Sequence, residues 1–161
     1  MGTETVDIET VDIETVDTET VDTWEALDAR AVALRSLDRL VGTWTVSGPG
    51  GHGGEVRCEW ADGGCWLVQH VDLHRGDAHD RGVGYVGYDA DDGELRSHFF
   101  GARGELLELT YRIEGDLLVV RSGGTGSRAR FEGRFSADGT VNDGVWRWPG
   151  GGHATTLTRT A

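Results

Sequence analysis

Beyond residue 42 the chain alternates apolar and polar positions with a period of two, and turn-forming clusters break the alternation about every ten residues. In 128–136, Ala129, Phe131, Gly133 and Phe135 share one face, while Arg128, Arg130, Glu132 and Arg134 take the other. That is the pattern of a strand with one buried side. The same reading predicts ten strands, at 43–47, 55–60, 65–74, 82–88, 94–100, 105–113, 117–122, 128–136, 140–148 and 153–159. Between them stand turn signals such as Asp91-Asp92-Gly93, Glu114-Gly115-Asp116 and Ala137-Asp138-Gly139. Short strands joined by tight turns form an antiparallel meander, and closing it removes the exposed edges. The expected fold is therefore all-β, an up-and-down barrel of about ten strands. Since eight strands already leave an interior just wide enough for side chains or a small ligand, ten should enclose a cavity.

Upstream the period changes. Asp22 and Glu25 read as an N-cap and its capping-box partner, and Leu27, Ala31, Leu34, Leu37 and Val41 fall at helical spacing. One amphipathic helix is expected there, stopped by Gly42 and packed across a barrel end. Before it a pentad, Glu4-Thr5-Val6-Asp7-Ile8, recurs with variation through Thr23. A period of five builds no apolar stripe on a helix and no constant face on a strand. Residues 1–23 are read as an acidic tail, either disordered or serving as a lid, and residues 24–161 as helix plus barrel.

Strand facing defines the candidate interior. A four-residue turn at 61–64 would pair Trp60 with Cys65 and Cys58 with Leu67, placing Cys65, Leu67, Gln69, Val71 and Leu73 inside and leaving both thiols free. Gln69 is the only glutamine, and burial obliges its amide to find partners. Tyr85 and Tyr111 are the expected companions. Of six tryptophans, Trp44, Trp60 and Trp146 join Phe99 and Phe131 as wall candidates. His98 receives conflicting placements: the turn before it puts Tyr85, Ser97 and Phe99 inside, whereas the turn after it groups His98 and Phe100 with Leu107 and Leu109. One turn must differ by a residue from this count.

Composition then narrows the chemistry. The 161 residues carry a net charge of −13, eight of the negative charges lying in the pentads, which speaks against nucleic acid and anionic membranes as partners. All fifteen basic residues are arginine, so lysine-dependent Schiff-base and phosphate-loop chemistry is excluded. With two cysteines and no long apolar run, a cytoplasmic protein is expected. His70, Asp72 and His74 have the composition of a metal site, but they share the face opposite Leu67, Gln69 and Leu73 and should look outward. No metal and no cofactor is expected, and no catalytic signature stands out. The oligomeric state is left open, a homodimer included.

Leu40-Val41-Gly42-Thr43-Trp44 is a helix end running into a Leu-x-Gly-x-Trp strand. It resembles the calycin-type barrels of the lipocalin and fatty-acid-binding superfamily, and more closely a bacterial lipocalin-like family of unknown function. Trp66-Leu67-Val68-Gln69, Gly87-Tyr88-Asp89, Arg130-Phe131-Glu132-Gly133 and Gly144-Val145-Trp146 echo its pattern across 37–159. The resemblance implies an internal pocket and no reaction. A more distant likeness, carried by Gly42-Thr43-Trp44 and His153-Ala154-Thr155-Thr156-Leu157-Thr158-Arg159, is to the nitrobindins, whose haem is ligated by a histidine before a similar closing run. Here the spacing is one residue shorter, which predicts that His153 turns to the other face. By architecture alone the fold is also similar to calycin-like cyclases of polyketide pathways.

The leading expectation is a pocket that binds a small, mostly apolar molecule of bacterial secondary metabolism, lined by Trp44, Trp60, Leu67, Gln69, Tyr85, Phe99, Tyr111, Phe131 and Trp146. A cofactor-free cyclase or isomerase using the same pocket is the alternative. A haem barrel with His153 as ligand stands third, and a fully packed interaction module fourth.

Overall fold

A computed structural model describes residues 17–122 and 128–161. The first sixteen residues, which hold most of the pentads and the tail-or-lid question, lie outside the described part. Ten strands follow one helix: β1 (Gly42–Gly48), β2 (His52–Trp60), β3 (Leu67–Arg75), β4 (Ala78–Asp89), β5 (Glu94–Gly101), β6 (Leu106–Glu114), β7 (Leu117–Ser122), β8 (Arg130–Phe135), β9 (Val141–Trp148) and β10 (Gly151–Arg159). Each pairs antiparallel with its sequence neighbours, and β1 pairs with β10 to close the barrel. The all-β up-and-down barrel read from the alternation is the fold of the chain. Among the described residues no helix is long and apolar enough to cross a membrane.

The helix differs from its expectation at both ends. Helix α1 spans Asp17–Ser36, starting before the Asp22 cap, and yields to a 3-10 turn at Leu37–Leu40 well before Gly42. Gly42 instead opens β1 with φ of 127°, and a Cβ there would sit 2.6 Å from the Ala161 carbonyl oxygen. That left-handed, crowded position admits only glycine. The predicted apolar face is also only half used. Leu34, Leu37 and Val41 pack on the core, but Leu27 is exposed, because the helix leaves the barrel end toward its start.

The 3-10 turn plugs that end. Leu37 and Leu40 are buried among Trp44, Leu67, Val86, Leu95 and Leu118. Burying each such leucine contributes roughly 1.5–3 kcal/mol. Two indoles fix the plug to the barrel: Trp44 Nε1 donates to the Leu40 carbonyl and Trp60 Nε1 to Asp38, each at 2.8 Å. Two guanidiniums lie over aromatic rings beside it, Arg39 at 4.4 Å from the Phe135 centroid and Arg159 at 4.7 Å from that of Trp44.

Register corrects three turn readings. Trp60 pairs with Leu67, so Ala61–Trp66 is a six-residue turn, and Cys58 faces Gln69 rather than Leu67. A slip of two keeps every face, which is why Leu67, Gln69, Val71 and Leu73 still point inward. Cys65 does not: it sits in the turn, where Arg30 Nη2 approaches its sulfur at 3.3 Å. Both turns flanking β5 are one residue off the count. Asp89 pairs with Glu94, which sets Tyr85 opposite His98, and Phe100 pairs with Leu106, which sets Ser97 opposite Leu109. Ser97, Phe99, Leu107 and Leu109 therefore face inward, whereas His98 and Tyr85 face outward. Both cysteines are free thiols.

Candidate functional site

The barrel encloses a cavity of about 440 Å³. Its floor is Leu40, Trp44, Leu118 and Phe135, directly above the plug. Phe131, Trp146, Phe99, Leu109 and Leu157 build most of the wall. At the other end the lining residues Arg75, Asp80, Leu107 and Trp148 are exposed, so the cavity opens there. The gradient follows from the chain: the plug covers one end and no described element covers the other.

Half-way up the wall sits a polar group in apolar surroundings. The Tyr111 hydroxyl donates to Gln69 Oε1 at 3.1 Å, as a buried amide requires. Gln69 Nε2 donates one hydrogen to Cys58 Sγ in a long bond of 3.8 Å, so its second hydrogen remains available to an acceptor in the cavity. Ser97 lines the same cavity, is fully buried, and its hydroxyl has no protein partner. Gly84 pairs with both Gln69 and Phe99, and a Cβ there would stand 3.5 Å from both Gln69 Oε1 and Ser97 Oγ. Glycine thus keeps the space between the two polar side chains open. Burial pushes the Cys58 thiol up to about 11 and the Tyr111 phenol well above its ordinary range, more than the Gln69 hydrogen bond lowers it. Both groups are neutral at pH 7, so the wall offers donors and acceptors rather than a base.

The mouth carries a second polar group. Arg75 Nη2 donates to His153 Nε2 at 2.6 Å, while His153 Nδ1 lies 3.3 Å from the Ala154 carbonyl oxygen and 3.2 Å from Thr155 Oγ1. A guanidinium can only donate, so Nε2 is the acceptor and the proton of His153 is on Nδ1. The His153 ring is flanked by His52 at 5.0 Å and Trp148 at 5.5 Å between centroids. His52 Nδ1 is buried without a partner. Burial first, then the neighbouring His153 and Arg75, hold His52 below the usual histidine range.

Of the nine wall residues expected from the sequence, Trp44, Gln69, Phe99, Tyr111, Phe131 and Trp146 border the cavity. Trp60 and Leu67 do not reach it, because they are taken up in the packing around the plug. Tyr85 is overturned as a wall residue: it is 40% exposed on the outer face, edge-on to Phe100. His153 corrects the opposite way. It shares the inward face of β10 with Thr155 and Leu157, since the chain's own alternation, not its offset from another family's run, sets the face. Its Nε2 is occupied by Arg75. His70 and Asp72 lie on the outer face, where His70 pairs with Glu59 and Asp72 with His79.

Sequence reasoning missed Ser97 as a functional candidate, and it missed Arg75 and His52 altogether. The signal for Arg75 was present, two residues beyond Leu73 on the inward face. The signal for His52 was absent, because β2 begins three residues earlier than its alternation shows. Comparison with protein-family models and with curated proteins finds no match to this chain.

Proposed function

We propose that the barrel binds one small, mostly apolar organic molecule in this cavity. The observation that carries the reading is the Gln69–Tyr111 pair set in an aromatic and aliphatic wall, beside the unpartnered Ser97 hydroxyl. A few placed polar groups in an apolar pocket are the ordinary make-up of a small-molecule site. Trp44, Phe131 and Trp146 would take the apolar body, and the free Gln69 N–H a carbonyl or hydroxyl oxygen. The likeness to lipocalin-like barrels agrees with this reading, as does the all-antiparallel closure.

A catalytic version of the same pocket has one observation in its favour. A neutral amide N–H in an apolar wall can polarise a ligand carbonyl, and holding a flexible substrate in one conformer lowers a cyclisation barrier. Neither Cys58 nor Tyr111 is ionised to act as a base, so beside Gln69 the wall offers conformational and electrostatic assistance.

The test uses N-phenyl-1-naphthylamine, a neutral apolar fluorophore that brightens out of water. The wild-type chain is expected to bind one equivalent. Gly84→Leu would project a side chain between Gln69, Ser97 and Phe99 and is expected to weaken binding at least about tenfold, the loss of one well-made apolar contact. Unchanged binding by a folded Gly84→Leu protein would place the probe elsewhere and overturn the reading.

A further inference from the structure

The mouth is built differently from the wall, and the difference bears on the class of ligand. Arg75, His52 and His153 all line the opening, and all are donors or become so on protonation. Among the described residues Arg75 makes no ion pair, although the chain is rich in acids. Its one side-chain contact is the neutral His153, which fixes the guanidinium by Nη2 and leaves its remaining N–H groups unspent. His52 Nδ1 is buried beside it with nothing to bond. The one acid lining the opening, Asp80, is directed to Arg103 at 3.3 Å.

A guanidinium with spare donors next to an unpartnered imidazole nitrogen is an anion site waiting for its acceptor. The donor set suits a planar, singly charged group, because one guanidinium and one imidazole balance one negative charge. Asp80 on the same rim disfavours a dianion such as a phosphate monoester. Below this site the lining turns apolar, and six residues further along β3 it reaches Gln69.

Resting on the cavity reading above, we propose that the ligand is an organic carboxylic acid. Its carboxylate is held at the mouth by Arg75 and His52, and its apolar body runs inward toward Trp146, Phe131 and Trp44. His153 is a positioning residue that aims the guanidinium through Nε2 and is itself aimed by Thr155.

Decanoate and 1-decanol share a chain and differ in the head group, so they separate the two claims. Both are titrated calorimetrically into the full chain and also used to displace N-phenyl-1-naphthylamine. Decanoate is expected to bind about tenfold or more tighter than decanol, the difference made by a charge-assisted hydrogen bond. Arg75→Gln should erase that difference by weakening decanoate far more than decanol or the fluorophore, with circular dichroism checking the fold. His153→Phe should remove part of the decanoate preference and none of the decanol affinity. Equal binding of acid and alcohol, or an Arg75→Gln protein that weakens both alike, would overturn the carboxylate site and leave the cavity reading standing. No binding of decanoate, decanol or fluorophore would overturn both.

Discussion

The two ends of the barrel are made from the same strands but engage their arginines in opposite ways. At the plugged end both indole N–H groups are bonded and the guanidiniums of Arg39 and Arg159 lie over aromatic rings. Arg39 is further held by Asp116 at 3.0 Å, and Arg159 donates to the Arg39 carbonyl at 2.7 Å. At the open end Arg75 has spare donors and His52 Nδ1 lacks a partner. Buried polar atoms without a partner occur at both ends, Asn142 and Arg159 Nε near the plug as well as His52 Nδ1 at the mouth. What separates the ends is close packing and ring-stacked guanidiniums at one against exposure and spare donors at the other. The plug is the stability end and the mouth the recognition end.

The largest expected effect tests that division directly. Leu67→Ala removes a fully buried side chain packed with the plug and should cost about 2–5 kcal/mol in chemical denaturation. Leu73→Ala, six residues along the same inward face and only half-buried, should cost well under half of that. Equal losses would mean that the mouth carries as much of the fold as the plug does, and the comparison would fail.

The middle of the wall stands between the two regimes. Gln69→Leu should destabilise by about 1–3 kcal/mol, because the Tyr111 hydroxyl loses its acceptor while staying buried. Adding Tyr111→Phe removes the orphan, and the double variant should recover much of the loss. Additive losses would show that Tyr111 finds another partner in the cavity, most simply water.

How much of this the sequence discloses depends on the kind of information each feature needs. Facing was readable wherever a strand alternates cleanly: Phe131 and Phe135 follow from a period of two alone. Whole-strand pairing was not, because it hangs on turn length. The Ala61–Trp66 turn changed the partners of Cys58 by an even slip that left every face intact. The turns beside β5 each added one residue, an odd slip that left His98 with conflicting placements. Tyr85 was assigned to the wrong side because β4 is apolar on both faces there, with Val83 and Tyr85 outside and Gly84 and Val86 inside. The cavity's depth was illegible for another reason. Trp60 and Leu67 point inward as expected, but whether an inward residue lines space or fills it depends on the plug, whose 3-10 turn has no clear sequence mark. The number of strands alone called for a cavity, but it does not mark the mouth residues Arg75 and His52.

The smallest effects are pH effects, and they place the two ends in separate windows. His52 at the mouth has its pKa lowered on folding, so the unfolded chain binds its proton more readily. The associated stability is fully present above about pH 6.5, the ordinary histidine value, and is lost as pH falls below it. His153, Arg75 and His74 are the groups facing it, and none is an acid that would reverse the sign. Beyond the plugged end, Asp138 accepts from the hydroxyls of Thr140 and Ser136, both at 2.7 Å, and from the Thr140 amide in the β8–β9 turn. Those bonds hold its carboxyl at about 2. Its contribution is present above the ordinary aspartate value near 3.9 and disappears only as pH falls toward 2. Acidification from pH 7 to 5 should therefore loosen the mouth before the turn at 136–140. Hydrogen exchange resolved by segment is expected to show faster amides in 52–55 and 151–154 over that interval, with 136–141 unchanged. His52→Gln should abolish the first change, and Asp138→Ala should weaken protection at 136–141 at every pH above 4. If the two segments lose protection together between pH 7 and 5, the ends are coupled, and the mouth cannot trade stability for recognition independently of the plug.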